Sequence, residues 1–111
     1  MIDWKRVEEL KQEVGDEDFT EVVVLFLEEV EETIARMKAT PSPNTLEEDM
    51  HFLKGSAMNL GFSQFTGLCQ AGETAAANGD TSTVSLPEIF TCYDGSRAEF
   101  LTRMQPGTAS G

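Results

Sequence analysis

Histidine is almost missing from this chain: one imidazole, His51, stands among 111 residues. A metal site needs several converging donors, and one histidine with no second to join it does not supply them. Cysteine is nearly as scarce. Cys69 and Cys92 make no disulfide framework and do not fall at zinc-ligand spacing. Positive charge is also short, with 8 basic residues against 20 acidic ones and a net charge of −12. Such a surface repels the phosphates of nucleic acid and the headgroups of anionic membranes. It suits a partner with a basic or mixed face. No apolar run approaches the length of a membrane span, and no signal-peptide pattern follows Met1. A cytoplasmic location is expected. No internal repeat, strand pair or glycine-rich nucleotide-binding region is visible.

What remains is helical periodicity. The length fits one domain, and 40% hydrophobic residues suffice for a core. Asp3 can cap a first helix over about 4–14, with Trp4, Val7, Leu10 and Val14 on one face. Gly15-Asp-Glu-Asp breaks it, and these acids suit the start of a second helix over about 17–38. Phe19, Val22, Phe26, Val30, Ile34 and Met37 follow helical spacing there. Thr40-Pro-Ser-Pro-Asn-Thr45 reads as a loop. A third helix spans about 45–60, and a fourth starts near Ser63 and ends at Asn78-Gly79. Phe65, Cys69, Gly72 and Ala76 lie on the inner face of the fourth. Ser85-Leu-Pro-Glu88 opens a fifth helix running to about Met104 and burying Ile89, Tyr93, Phe100 and Leu101 or Met104. The fold class expected is all-α: an antiparallel four-helix bundle with an additional short N-terminal helix. Residues 1–105 form the domain, and 106–111 a disordered tail.

The third helix holds the chemistry. Leu46, Met50, Leu53, Ala57 and Leu60 recur at intervals of four and three, within roughly 40° of one direction. His51 then points about 140° away from that seam, with Lys54 at about 80°, Met58 at about 120° and Gly55 at about 180°. Thr45-x-x-Glu48 matches a capping box, and Gly61 stands where a C-terminal cap glycine would.

An exposed imidazole can be a metal ligand, a general base or a nucleophile. A compact bundle of this size leaves little room for a substrate pocket. A nucleophile needs only exposure, a group that holds the ring, a cation for the incoming anion, and space for the donor. Lys54, one turn on, supplies a point charge suited to phosphate. Gly55 removes a side chain where a partner would press close, and an internal helix glycine costs about 1 kcal/mol. The chemistry suggested is transfer of a phosphoryl group to and from His51, with donor and acceptor on another protein. The bland alternative is a solvated histidine beside an ordinary lysine and a glycine at a helix contact.

The segment His51-Phe-Leu-Lys-Gly-Ser-Ala-Met-Asn-Leu-Gly-Phe62 closely resembles the signature of histidine-containing phosphotransfer (HPt) domains: a histidine, a hydrophobic residue, Lys-Gly, small residues, then Leu-Gly. Ile2-Asp-Trp4, the acidic turn before Phe19 and the Leu68-Cys69 region resemble the free-standing phosphorelay proteins of the yeast type. The resemblance implies that His51 is phosphorylated through Nε2, that Lys54 steadies the phosphoryl group and that Gly55 leaves room for the partner. It implies that Glu73 holds the other ring nitrogen. The implied partners are response-regulator receiver domains and a hybrid sensor histidine kinase, with no kinase activity in this chain. Phe52, Leu10, Val14, Phe19, Val23 and Met58 are the candidate docking residues. Arg6 departs from the apolar residue some relatives carry. No cofactor is expected, because the Mg²⁺ of aspartyl-phosphate chemistry belongs to the receiver.

Three other readings stand beside this one. A histidine kinase phosphoacceptor domain usually has an acidic residue after its histidine, where Phe52 stands here. A non-catalytic acidic helical adaptor would make His51 incidental. A metal-binding bundle would use Glu28, Glu29, Glu31 and Glu32, but the histidine partners of such a site are missing, and these acids read more simply as a solvated face. A monomer is expected, and the initiating Met with a complete set of helices reads as a free-standing protein.

Overall fold

The computed structural model describes residues 2–40 and 42–104, with the side chain of Met104 left out. The expected tail, 106–111, lies outside the described residues. Five α-helices follow in order: α1 (Trp4–Val14), α2 (Asp16–Ala39), α3 (Leu46–Leu60), α4 (Ser63–Ala77) and α5 (Leu86–Met104). A short 3-10 turn, Thr81–Thr83, sits in the loop before α5. No strand occurs among the described residues. Helices α2 to α5 form the antiparallel bundle, and α1 packs against α2 and α3.

Local chemistry explains the helix ends. The Asp3 carboxylate caps α1 by accepting from the Arg6 backbone N–H. α2 opens on Asp16, Glu17 and Asp18 and closes on Arg36 and Lys38, each matched in sign to its end of the helix dipole. α3 ends in a left-handed glycine cap. Gly61 has φ +75°, its N–H reaches the Met58 carbonyl at 3.2 Å, and the Phe62 N–H reaches the Ala57 carbonyl at 3.0 Å.

The capping box expected at Thr45 does not form. Its hydroxyl oxygen accepts from no backbone N–H of the first turn of α3; the hydroxyl lies instead within donor reach of Asp49 Oδ2 at 3.2 Å and of the Ser42 carbonyl at 3.4 Å. Asp49 is buried and also pairs with Arg36 of α2. A buried carboxylate must be satisfied, and it draws the hydroxyl away from the cap.

The α3 seam is buried as its spacing requires: Leu46, Met50, Leu53, Ala57 and Leu60 are all core. α2 is rotated slightly from expectation. Its buried residues are Phe19, Val23, Leu27, Val30, Ile34 and Met37, while Val22 and Phe26 are half-buried. The apolar run 22–27 offers two overlapping stripes, and packing selects Val23 and Leu27. In α5, Ile89, Tyr93 and Phe100 are buried as expected, Leu101 is half-buried, and Cys92 and Ser96 join the core.

An aromatic cluster closes one part of the bundle. The Phe62 ring lies 5.4 Å from Phe100, edge to face, and Phe65 lies 5.3 Å from Tyr93. Trp4 of α1 stacks on Phe100 at 5.8 Å, and the Arg103 guanidinium covers its ring at 4.7 Å. The Tyr93 hydroxyl donates to Glu31 Oε2 at 2.8 Å, and Arg97 Nε reaches the same oxygen at 2.7 Å. Glu31, expected on a solvated face, therefore ties α2 to α5. Both cysteines are free and buried, and burial pushes the Cys69 thiol up to about 12.

The corner between α3 and α4 anchors α1. The Asp3 N–H donates to the Gly61 carbonyl at 2.6 Å, and a Cβ placed on Gly61 would meet the Asp3 carbonyl oxygen at 2.6 Å. Replacement strains the left-handed φ and collides with backbone that cannot swing aside. Gly61→Ala is expected to lower stability by about 2 kcal/mol or more. Urea unfolding would show this as a lower midpoint with an unchanged slope.

Candidate functional site

α3 and α4 approach closely at Met50 and Gly72. A Cβ on Gly72 would lie 2.9 Å from Met50 Sδ, so a larger residue there would have to displace the buried Met50 side chain. The next residue on each helix belongs to the site. His51 follows Met50, and Glu73 follows Gly72. The sequence pattern thus buries one residue of each pair and leaves its neighbour at the helix boundary.

His51 Nδ1 and Glu73 Oε2 are 2.9 Å apart, while the His51 side chain is 71% exposed. Lys54 Nζ lies 2.6 Å from the other carboxylate oxygen, Oε1, as a charge contact, and donates to Gln70 Oε1 at 3.0 Å. The Lys54 ammonium holds the Glu73 carboxyl below the ordinary carboxylate range; partial burial opposes this, and the His51 ring adds to it. Glu73 is therefore ionised at neutral pH. Because its folded value is lowered, its stabilising contribution is full above the ordinary glutamate range and is lost as pH falls through the lowered value.

An ionised carboxylate only accepts hydrogen bonds. Nδ1 must then carry the proton donated to Glu73. In the neutral ring that leaves Nε2, on the opposite edge, with its lone pair free. The arrangement is an exposed nucleophile in a defined tautomer, with a cation one helical turn away.

Gly55 sits on the same exposed surface, and nothing lies within 4 Å of a Cβ built on it. No internal packing requires glycine there. Its carbonyl accepts from Asn59 Nδ2 at 3.3 Å, and Asn59 Oδ1 accepts from Arg6 NH2 at 3.2 Å. Arg6 also pairs with Glu9 and Glu13, so it braces α1 against the outer face of α3.

The candidate docking residues separate into two groups. Phe52 and Met58 are exposed, at 39% and 56%, and Val14 is half-buried. Leu10, Phe19 and Val23 are buried, at 4%, 3% and 5%. These three are core residues and offer a partner almost no surface. Their apolar character serves the packing of α1 and α2. Gln70, the second acceptor for Lys54, was not among the expected site residues. Its position three before Glu73 puts it on the same side of α4, which is the signal that could have found it. Among the described residues no group of three or more His, Cys, Asp or Glu stands together as metal ligands.

The fold and site define a helical bundle that displays one oriented, nucleophilic histidine on its surface. The family model for the Hpt domain matches residues 21–99, and the chain belongs to that family. Comparison with curated proteins and with solved structures finds no match. Membership assigns a general role in histidine phosphotransfer within phosphorelays, alongside receiver domains and kinases, as a carrier of phosphoryl groups. None of the helices, among the described residues, is long and apolar enough to cross a membrane.

Without Glu73 the ring loses the acceptor that selects its tautomer. In Glu73→Ala, ¹⁵N spectra of the neutral His51 ring are expected to show a mixture of its two tautomers. The same spectra of the unaltered protein are expected to show the Nδ1–H form alone.

Proposed function

We propose that this chain is a histidine phosphotransfer protein that shuttles a phosphoryl group between the aspartates of response-regulator receiver domains through His51, drawing on a hybrid sensor histidine kinase upstream. The observation that carries this reading is the Nδ1–Glu73 contact at 2.9 Å beneath a ring that is 71% exposed. A solvated, incidental histidine needs no such partner.

The steps balance as follows. The Nε2 lone pair attacks phosphorus of an aspartyl phosphate. The new N–P bond forms as the O–P bond breaks, and the bonding pair stays on the aspartate carboxylate. The ring keeps its Nδ1 proton and gains positive charge, which the Glu73 carboxylate faces. The reverse step, onto a second aspartate, releases Nε2 with its lone pair restored. Lys54 neutralises part of the phosphoryl charge. Mg²⁺ belongs to the receiver side of this chemistry, and no cofactor on this chain is invoked. Phe52 and Met58 supply the apolar contact beside the histidine, and Gly55 lets the receiver approach. The protein works as a monomer in the cytoplasm, because self-association through this face would block docking.

Incubation with a phosphorylated receiver and Mg²⁺ is expected to place acid-labile, base-stable phosphate on the unaltered protein and none on His51→Gln. Absence of label from several receivers would instead favour an acidic adaptor. Gly55→Ala is expected to separate stability from function. With nothing near the new Cβ, the helix should gain about 1 kcal/mol in chemical denaturation, while the rate of transfer from the receiver falls.

A further inference from the structure

α4 holds the Lys54 ammonium from two sides. Nζ is 2.6 Å from Glu73 Oε1 and 3.0 Å from Gln70 Oε1. Gln70 is itself oriented, since its Nε2 donates to Thr74 Oγ1 at 3.1 Å. The Lys54 side chain is only 19% exposed. Glu73 is shared as well, with Oε2 on the ring and Oε1 on the lysine.

A phosphoryl group on Nε2 changes this balance. It brings strong negative charge and three acceptor oxygens to a site where Glu73 is already anionic. Lys54 is the cation at hand, and its three N–H groups cannot serve α4 fully and the phosphoryl group fully at once. Resting on the reading of His51 as the phosphoryl acceptor, we propose that Glu73 and Gln70 are positioning residues that compete with the phosphoryl group for Lys54, and that this competition keeps the phosphohistidine labile. Glu73 thereby has two roles: it presents Nε2 for attack, and it draws off the cation that would otherwise settle the product.

Two variants isolate this effect. Glu73→Gln keeps an oxygen for the Nδ1 proton but removes the charge that binds Lys54. Gln70→Ala frees one lysine contact and leaves the ring untouched. Each is phosphorylated from a receiver, separated from it, and followed for loss of phosphate to water. In that loss the N–P bond breaks with its electron pair returning to Nε2, water supplies the new P–O bond, and its proton passes to solvent.

The half-life is expected to lengthen about fivefold in Glu73→Gln, the size of one charge contact partly screened by water. Gln70→Ala is expected to lengthen it by less. Both gains are expected to disappear when Lys54→Ala is added, because there is then no cation to release. Half-lives that stay the same or shorten would overturn the inference. So would gains that persist without Lys54, since Glu73 would then act on the ring alone. If the unaltered protein takes up no phosphate, the phosphotransfer reading fails and this inference falls with it. Normal uptake with unaltered half-lives removes this inference alone.

Discussion

The contact between Met50 of α3 and Gly72 of α4 sets the geometry on which everything else depends. The absence of a side chain at Gly72 leaves room for the buried Met50 between the helices, and the residues that follow these two, His51 and Glu73, meet at 2.9 Å. Close-packed interiors deform little, so a core contact of this kind positions a surface site more firmly than the site's own hydrogen bonds could. The exposed histidine can stay solvent-accessible because the rigidity lies one residue away, under the surface. The design separates two demands that usually conflict: the ring must be reachable, and it must be held.

Charge is arranged around a shortage. Only 8 basic residues stand against 20 acidic ones, and several of the cations bind across elements. Arg36 joins α2 to α3 through Asp49, Arg97 joins α5 to α2 through Glu31, and Arg6 joins α1 to α3 through Asn59. Lys54 belongs to the same pattern, joining α3 to α4 through Glu73 and Gln70. It differs in lying beside the one imidazole of the chain. The same side chain thus ties two helices together and stands next to the carboxylate that holds the ring.

Much of this was legible in the sequence where a pattern was narrow. The α3 seam, Leu46 to Leu60, admits one inward direction, and that direction alone turned His51, Gly55 and Met58 outward. α2 was less legible, since Val22, Val23, Phe26 and Leu27 are all apolar and periodicity cannot choose between adjacent stripes. The Thr45-x-x-Glu48 pattern does not become a cap, because the Thr45 hydroxyl turns toward the Asp49 carboxylate and the Ser42 carbonyl, and local spacing does not reveal that Asp49 is buried. Leu10, Phe19 and Val23 read equally as docking residues, on family likeness, and as core residues, on helical spacing, and their burial agrees with the second reading. The Glu73 contact spans 22 residues of sequence; local spacing does not bring such groups together, so only family likeness pointed to it. Gln70 carried no such pointer.

The stacking of Trp4 on Phe100 has a practical side. Trp4 is the one tryptophan of the chain, so its intrinsic emission reports a single place, where α1 lies over α5. The cation above its ring, Arg103, makes that emission sensitive to how the last helix is seated. An unfolding curve recorded by fluorescence therefore follows the clasp between the two ends of the fold. Helical circular dichroism follows the whole bundle, α3 and α4 included. Should the two curves part, the clasp would be opening as its own cooperative unit, with the histidine still presented on an intact pair of helices.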